Sequence, residues 1–98
     1  IHMSNKYNGW TNYETWNVNL WLNNDQGTYD FIVELAKQYA DDAPMLAQAL
    51  ESFVDELQPE LEASMFSDIL NAAMREVNWQ EIADALLENH KDEIVEAL

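Results

Sequence analysis

Apolar residues recur at three- and four-residue spacing along nearly the whole chain, and this period constrains the fold more than any other feature. Tyr29, Ile32, Leu35, Ala36 and Tyr39 fall on one helical face, as do Leu46, Leu50, Phe53, Val54 and Leu57. A third stripe holds Phe66, Ile69, Leu70, Ala73 and Val77, and a fourth Trp79, Ile82, Ala83, Leu86 and Leu87. Helix breakers are scarce, with two glycines and two prolines in 98 residues. The expected fold is all-α: a compact single-domain bundle of five short helices, or six if the last one breaks near Asn89-His90.

The helix starts carry local signals. Thr11-Asn-Tyr-Glu14 fits a capping box, in which the threonine hydroxyl accepts a helical N–H and the glutamate reaches back to the threonine N–H. A helix over about 12–24 follows, closed by Asn24-Asp25-Gln26-Gly27 with Gly27 left-handed. Thr28 caps a second helix of about 29–41, and Asp42 before Ala43-Pro44 opens a third, since proline fits a first helical turn. Gln58-Pro59 ends that helix, because the residue before proline is pushed out of helical geometry. A fourth helix lies within 60–77 and places Phe66, Ile69, Leu70, Ala73 and Val77 together. Asn78-Trp-Gln-Glu81 is a second capping box and opens the last helix.

The stretch 12–24 is the ambiguous one. Trp16, Val18, Leu20 and Leu22 alternate with Asn17, Asn19, Trp21 and Asn23, a pattern that also fits a strand. The capping box and the lack of a partner strand favour the helix. Its polar sector is narrow, formed by Asn12, Thr15, Asn19 and Asn23, so the helix is expected at the centre of the domain or under a partner.

Charge narrows the functional classes. Nineteen acidic residues against four basic ones give a net charge of −15, with no Lys or Arg between Lys37 and Arg75. Such a surface repels phosphate backbones and anionic membranes, which argues against direct binding of nucleic acid or membrane. The attractive partner is a basic nucleic-acid-binding protein or effector complex. Solubility and adaptation to a salty cytoplasm are the alternative reasons for the charge. No apolar run approaches the ~18 residues of a membrane span, and no cysteine marks an oxidising compartment, so the cytoplasm is the default location. Ile1-His2-Met3 reads as a vector-derived scar, which leaves 4–98 as a single acidic helical domain.

Signals for catalysis are poor. Outside the scar the one histidine is His90, which falls between Leu86, Leu87 and Ile94 and reads as a core or interface residue. No His/carboxylate spacing fits a metal site, and the Asn23–Asp30 loop would put Leu22 at the first calcium-ligand position. No Gly-rich phosphate cradle occurs. A non-enzymatic protein without metal or cofactor is expected, monomeric or homodimeric. If the last helix is continuous, Asp84, Glu88, Asp92 and Glu96 form an i, i+4 row with Glu81 beside it, the carboxylates spaced ~6 Å along the axis. A second acidic zone begins at Glu51, Asp55 and Glu56. These residues are the candidate partner-binding face. The alternative is an aromatic patch, with Trp10 and Trp21 as the candidates for exposure.

Two stretches, "TNYETWNVNLWLNNDQGTYDF" and "VNWQEIADALLE", resemble the two ends of a family of small proteins from bacteriophages, cyanobacteria and mobile elements. The shared motifs are Y-E-T-W-N-V-x-L-W, here Tyr13 to Trp21, and W-x-E-I-A, here Trp79 to Ala83. The resemblance brings no catalytic residue. Its setting implies host-takeover or anti-defence roles, such as anti-CRISPR or anti-restriction inhibition by nucleic-acid mimicry, in the host cytoplasm. An adaptor working through the Trp/Tyr-rich first helix is the competing expectation.

Overall fold

The structure is a computed structural model and describes residues 7–92. Five helices follow one another in the order α1 (Tyr13–Asn24), α2 (Gln26–Gln38), α3 (Ala43–Leu57), α4 (Met65–Arg75) and α5 (Trp79–Asn89). The ambiguous first stretch is therefore helical. Before it, Tyr7 and Trp10 exchange backbone hydrogen bonds of 2.7 and 2.8 Å around Asn8 and Gly9, both at positive φ. Glycine suits that turn because it lacks a Cβ to clash there.

The core lies between α2, α3 and α5. Ile32, Ala36, Leu46, Leu50, Ile82 and Ala83 are essentially inaccessible, and α3 and α5 share the largest helix–helix interface. Fully burying one Leu or Ile side chain contributes ~1.5–3 kcal/mol, so this trio of helices supplies most of the apolar driving force. Helix α1 is not at the centre, as its composition led us to expect. It buries only Thr15 and Leu22, while Tyr13 and Trp21 are exposed. Its apolar residues face opposite ways, so no single neighbour covers them all.

The helix starts depart from the sequence reading in an informative way. Asn12, not Thr11, caps α1, its side chain accepting the Thr15 N–H at 2.9 Å. In a capping box the third helical residue reaches back to the cap's own N–H; for α5 that role passes to Thr15, the third residue of α1. The Thr11 N–H donates to Glu81 Oε1 at 3.1 Å, and the Asn78 N–H donates to Thr15 Oγ1 at 2.8 Å. Thr15 in turn donates its hydroxyl to Asn12 Oδ1 at 2.6 Å, and Asn78 caps α5 by accepting from the Glu81 N–H at 3.1 Å. Asn12 Nδ2 completes the knot by donating to the Glu76 carbonyl at 2.7 Å, just after α4. The start of α1 thus completes the cap of α5, and Glu81 of α5 holds the residue just before the α1 cap.

Helix α2 begins earlier than expected. Asp25 both ends α1 and caps α2, accepting from the Thr28 N–H at 2.9 Å and the Thr28 hydroxyl at 2.7 Å. Gly27 consequently sits inside the first turn of α2 rather than closing α1 in a left-handed conformation. The turn from one helix to the next takes a single residue. Helix α3 starts where Asp42 and Pro44 place it, and Gln58 ends it.

Helix α4 is the exception in packing. A reciprocal Ser64–Ser67 box opens it, with the Ser64 N–H donating to Ser67 Oγ at 3.0 Å and the Ser67 N–H to Ser64 Oγ at 3.3 Å. None of its residues is buried, and it forms no extensive interface with another helix. Of the stripe that the sequence places on one face, Val77 is buried and Leu70 and Ala73 are half-buried, but Phe66 and Ile69 are 66% and 59% exposed.

The last helix closes at Asn89, and His90 takes the C-cap position with its N–H donating to the Leu86 carbonyl at 3.2 Å. His90 Nε2 lies 3.3 Å from the Tyr29 hydroxyl, the two rings meeting edge-on. Helical geometry resumes at 91–92, so the continuous helix needed for a four-carboxylate row is interrupted. Ile94 and Glu96 lie outside the described residues.

Candidate partner-binding surface

The expected acidic residues separate into distinct environments. Asp84 and Glu88 are exposed on α5, one helical turn apart; Asp84 accepts from Gln80 Nε2 at 3.0 Å, and Glu88 pairs with Lys91 at 3.0 Å. Asp92 is exposed beyond the His90 break. Glu81 is half-buried, and its carboxylate accepts the Thr11 N–H, so it belongs to the junction between the two helix starts rather than to an open face.

On α3, Glu51, Asp55 and Glu56 are exposed. The sequence places no cation near them, but folding brings Arg75 to the same place. Glu51, Asp55, Gln58, Asn71, Met74 and Arg75 line one shallow cavity of about 250 Å³. The guanidinium offsets part of the local charge there.

The aromatic candidates also separate. Trp10 is half-buried against the core, whereas Trp21 is 67% exposed. Tyr7, Tyr13 and Trp16 form their own cluster, with ring centroids 4.9–5.6 Å apart. Trp21 borders a predominantly apolar cavity of about 420 Å³ with Val18, Leu22, Val54 and Leu57. Val18 and Asn17 also line a second cavity of about 190 Å³, closed on its far side by Leu70, Ala73 and Met74 of α4. The two cavities therefore adjoin along α1. One turn before Leu70 and Ala73 on the same stripe of α4, Phe66 and Ile69 are exposed.

The sequence signals the α4 part of this surface as an apolar stripe, yet periodicity reports only that a helix has an apolar face, not what covers it. One ionisable group on the groove is perturbed: the two hydrogen bonds from Thr28, that from the hydroxyl above all, hold the Asp25 carboxyl below its ordinary value of 3.8. Among the described residues no group of three or more His, Cys, Asp or Glu is placed to hold a metal ion. Nor is any helix among them long and apolar enough to cross a membrane.

A family model described as a family of unknown function, DUF7249, matches residues 3–97. The chain belongs to the DUF7249 family. The match spans both signature stretches and the middle of the chain, including all of α4. No curated protein and no solved structure matches the chain. The DUF7249 assignment groups the chain without naming an activity, so function rests on the surface itself.

Proposed function

We propose that this chain is a non-enzymatic acidic binding protein that captures a basic nucleic-acid-binding protein and occupies its nucleic-acid surface. The observation that carries the reading is the exposure of Glu51, Asp55 and Glu56 on α3 and of Asp84 and Glu88 on α5, the most closely packed pair of helices. Carboxylates on a rigid two-helix base keep their spacing when a partner docks, and a net charge of −15 draws that partner in from a distance. The bacteriophage, cyanobacterial and mobile-element resemblance of the signature stretches gives the reading its biological form, an inhibitor of host defence such as an anti-CRISPR or anti-restriction protein.

Affinity capture from a host lysate at low and high salt tests this reading, using the wild type and a Glu51→Gln, Asp55→Asn, Glu56→Gln, Asp84→Asn, Glu88→Gln variant. Recovery of a basic nuclease or effector complex by the wild type, lost at high salt and lost in the variant, supports it. Unchanged capture by the variant overturns it. A second reading, an adaptor or homodimer joined through the aromatic first helix, is favoured by the exposure of Trp21. That reading expects Trp21→Ala to abolish association at any salt concentration while the melting temperature stays unchanged.

A further inference from the structure

We infer that the apolar tract running from Trp21 across α1 to the outer face of α4 is the seat for an amphipathic helix bearing Lys or Arg on its polar face. This rests on the reading of the chain as a binder of basic proteins, and it names a different surface and a different contact from the carboxylates of α3 and α5.

The area comes first. At ~200 Å² per large side chain, the exposed parts of Trp21, Leu57, Phe66 and Ile69 leave roughly 500 Å² of apolar side chain in water. The largest apolar patch on a typical monomer is about 300–600 Å², and one side of a standard protein interface is about 800 Å². The tract thus reaches the size at which a monomer's largest apolar patch is often functional.

Its shape selects a helix. One cavity lies between α1 and α3, the other between α1 and α4, and they share Asn17 and Val18. A trough walled by helices accepts apolar anchors spaced i, i+3 or i+4, and i+7 from an incoming helix. Met74 lines the trough, and its flexible thioether adapts to such anchors.

Charge selects the polar face of the occupant. Glu14 and Asp25 line the two cavities, and Glu56, Glu60, Glu62 and Asp68 are exposed along the segment that carries the outer tract. No Lys or Arg occurs from residue 38 to residue 74. A second copy of this chain would bring another −15 to the same border, whereas a cationic helix satisfies both the apolar floor and the acidic rim.

Titration calorimetry with three designed peptides of about 18 residues tests the inference. The first carries Leu at i, i+3, i+4, i+7 positions and Lys elsewhere; the second is its scramble, with the same charge and no apolar face; the third replaces Lys by Glu. The expected result is binding of the first at least tenfold tighter than of either other, with a negative heat-capacity change. A Phe66→Ser, Ile69→Ser double variant and, separately, Trp21→Ala should each weaken it tenfold or more at unchanged melting temperature. Equal binding of the scramble overturns the helix seat but leaves capture of basic proteins standing. Equal binding of the Glu peptide overturns the charge selection. Binding of none of the three at low salt overturns the seat and removes the electrostatic basis of the proposed function as well. Sedimentation as a dimer that Phe66→Ser, Ile69→Ser converts to monomer assigns the tract to a second copy and overturns the inference.

Discussion

Thr15 and Asn78, sixty-three positions apart, are joined by a 2.8 Å hydrogen bond from the Asn78 N–H to the Thr15 hydroxyl. The hydroxyl is fully buried and also donates to Asn12 Oδ1, so one oxygen serves both a donor and an acceptor from two helix starts. Leaving such groups without partners costs ~1–3 kcal/mol. Thr15→Val, which keeps the shape and removes the hydroxyl, should lower unfolding stability by about that amount in urea titration. Thr15→Ser, which keeps the hydroxyl, should lose clearly less.

Asp25 makes stability depend on acidity. Its folded carboxyl is held below the ordinary aspartate value by the Thr28 hydrogen bonds, so the folded state favours the ionised form. The stabilisation is complete above the unfolded value near 3.8 and is lost as the pH falls through the folded value. Asp25→Asn keeps a good capping side chain but removes the titration. Thermal melts from about pH 6 down to about pH 2 should show the wild type losing more stability than Asp25→Asn below about pH 4. Parallel curves would rule out this contribution.

Gly27 distinguishes two placements of the α1–α2 junction. A left-handed closing glycine would be harmed by a side chain, but Gly27 lies in the first turn of α2. A Cβ there meets only Asp25 Oδ2 at 3.7 Å, an ordinary contact. Gly27→Ala should therefore stabilise by about 0.5 kcal/mol through reduced freedom of the unfolded chain, read as a higher urea midpoint.

The two apolar stripes on α3 and α4 should respond oppositely to truncation. Leu50 is fully buried, and Leu50→Ala should cost ~2–5 kcal/mol through the cavity it leaves. Phe66→Ser or Ile69→Ser, on exposed positions, should change stability by less than ~0.5 kcal/mol. Equal losses in chemical denaturation would mean that α4 packs inward.

What the sequence discloses is set by which interactions are local. The start of α3 follows from Asp42 and Pro44, and that of α5 from Asn78, because these caps act within one turn. The start of α1 does not follow in the same way. Thr11 and Asn12 are both sound capping residues, and the choice falls to Asn12, whose amide also reaches Glu76. Glu81 shows the same limit: its own helix start offers it a partner, but the folded chain gives it Thr11. The apolar face of α4 is visible as periodicity, whereas its exposure depends on where the neighbouring helices end. Arg75 beside Glu51 and Asp55 is likewise a product of topology, invisible in a stretch where no cation is near in sequence.

The two bonds between the starts of α1 and α5 have a consequence for how the molecule comes apart. With Asn78 tied to Thr15 and Thr11 to Glu81, the intervening chain forms a ring closed without a covalent bond. Fraying that starts at either terminus meets this clasp before it reaches α2 or α3. The backbone amide of Asn78 is its natural clock: its hydrogen exchange times the opening of the clasp. Glu76, at the end of α4, is tied to Asn12 beside the same clasp.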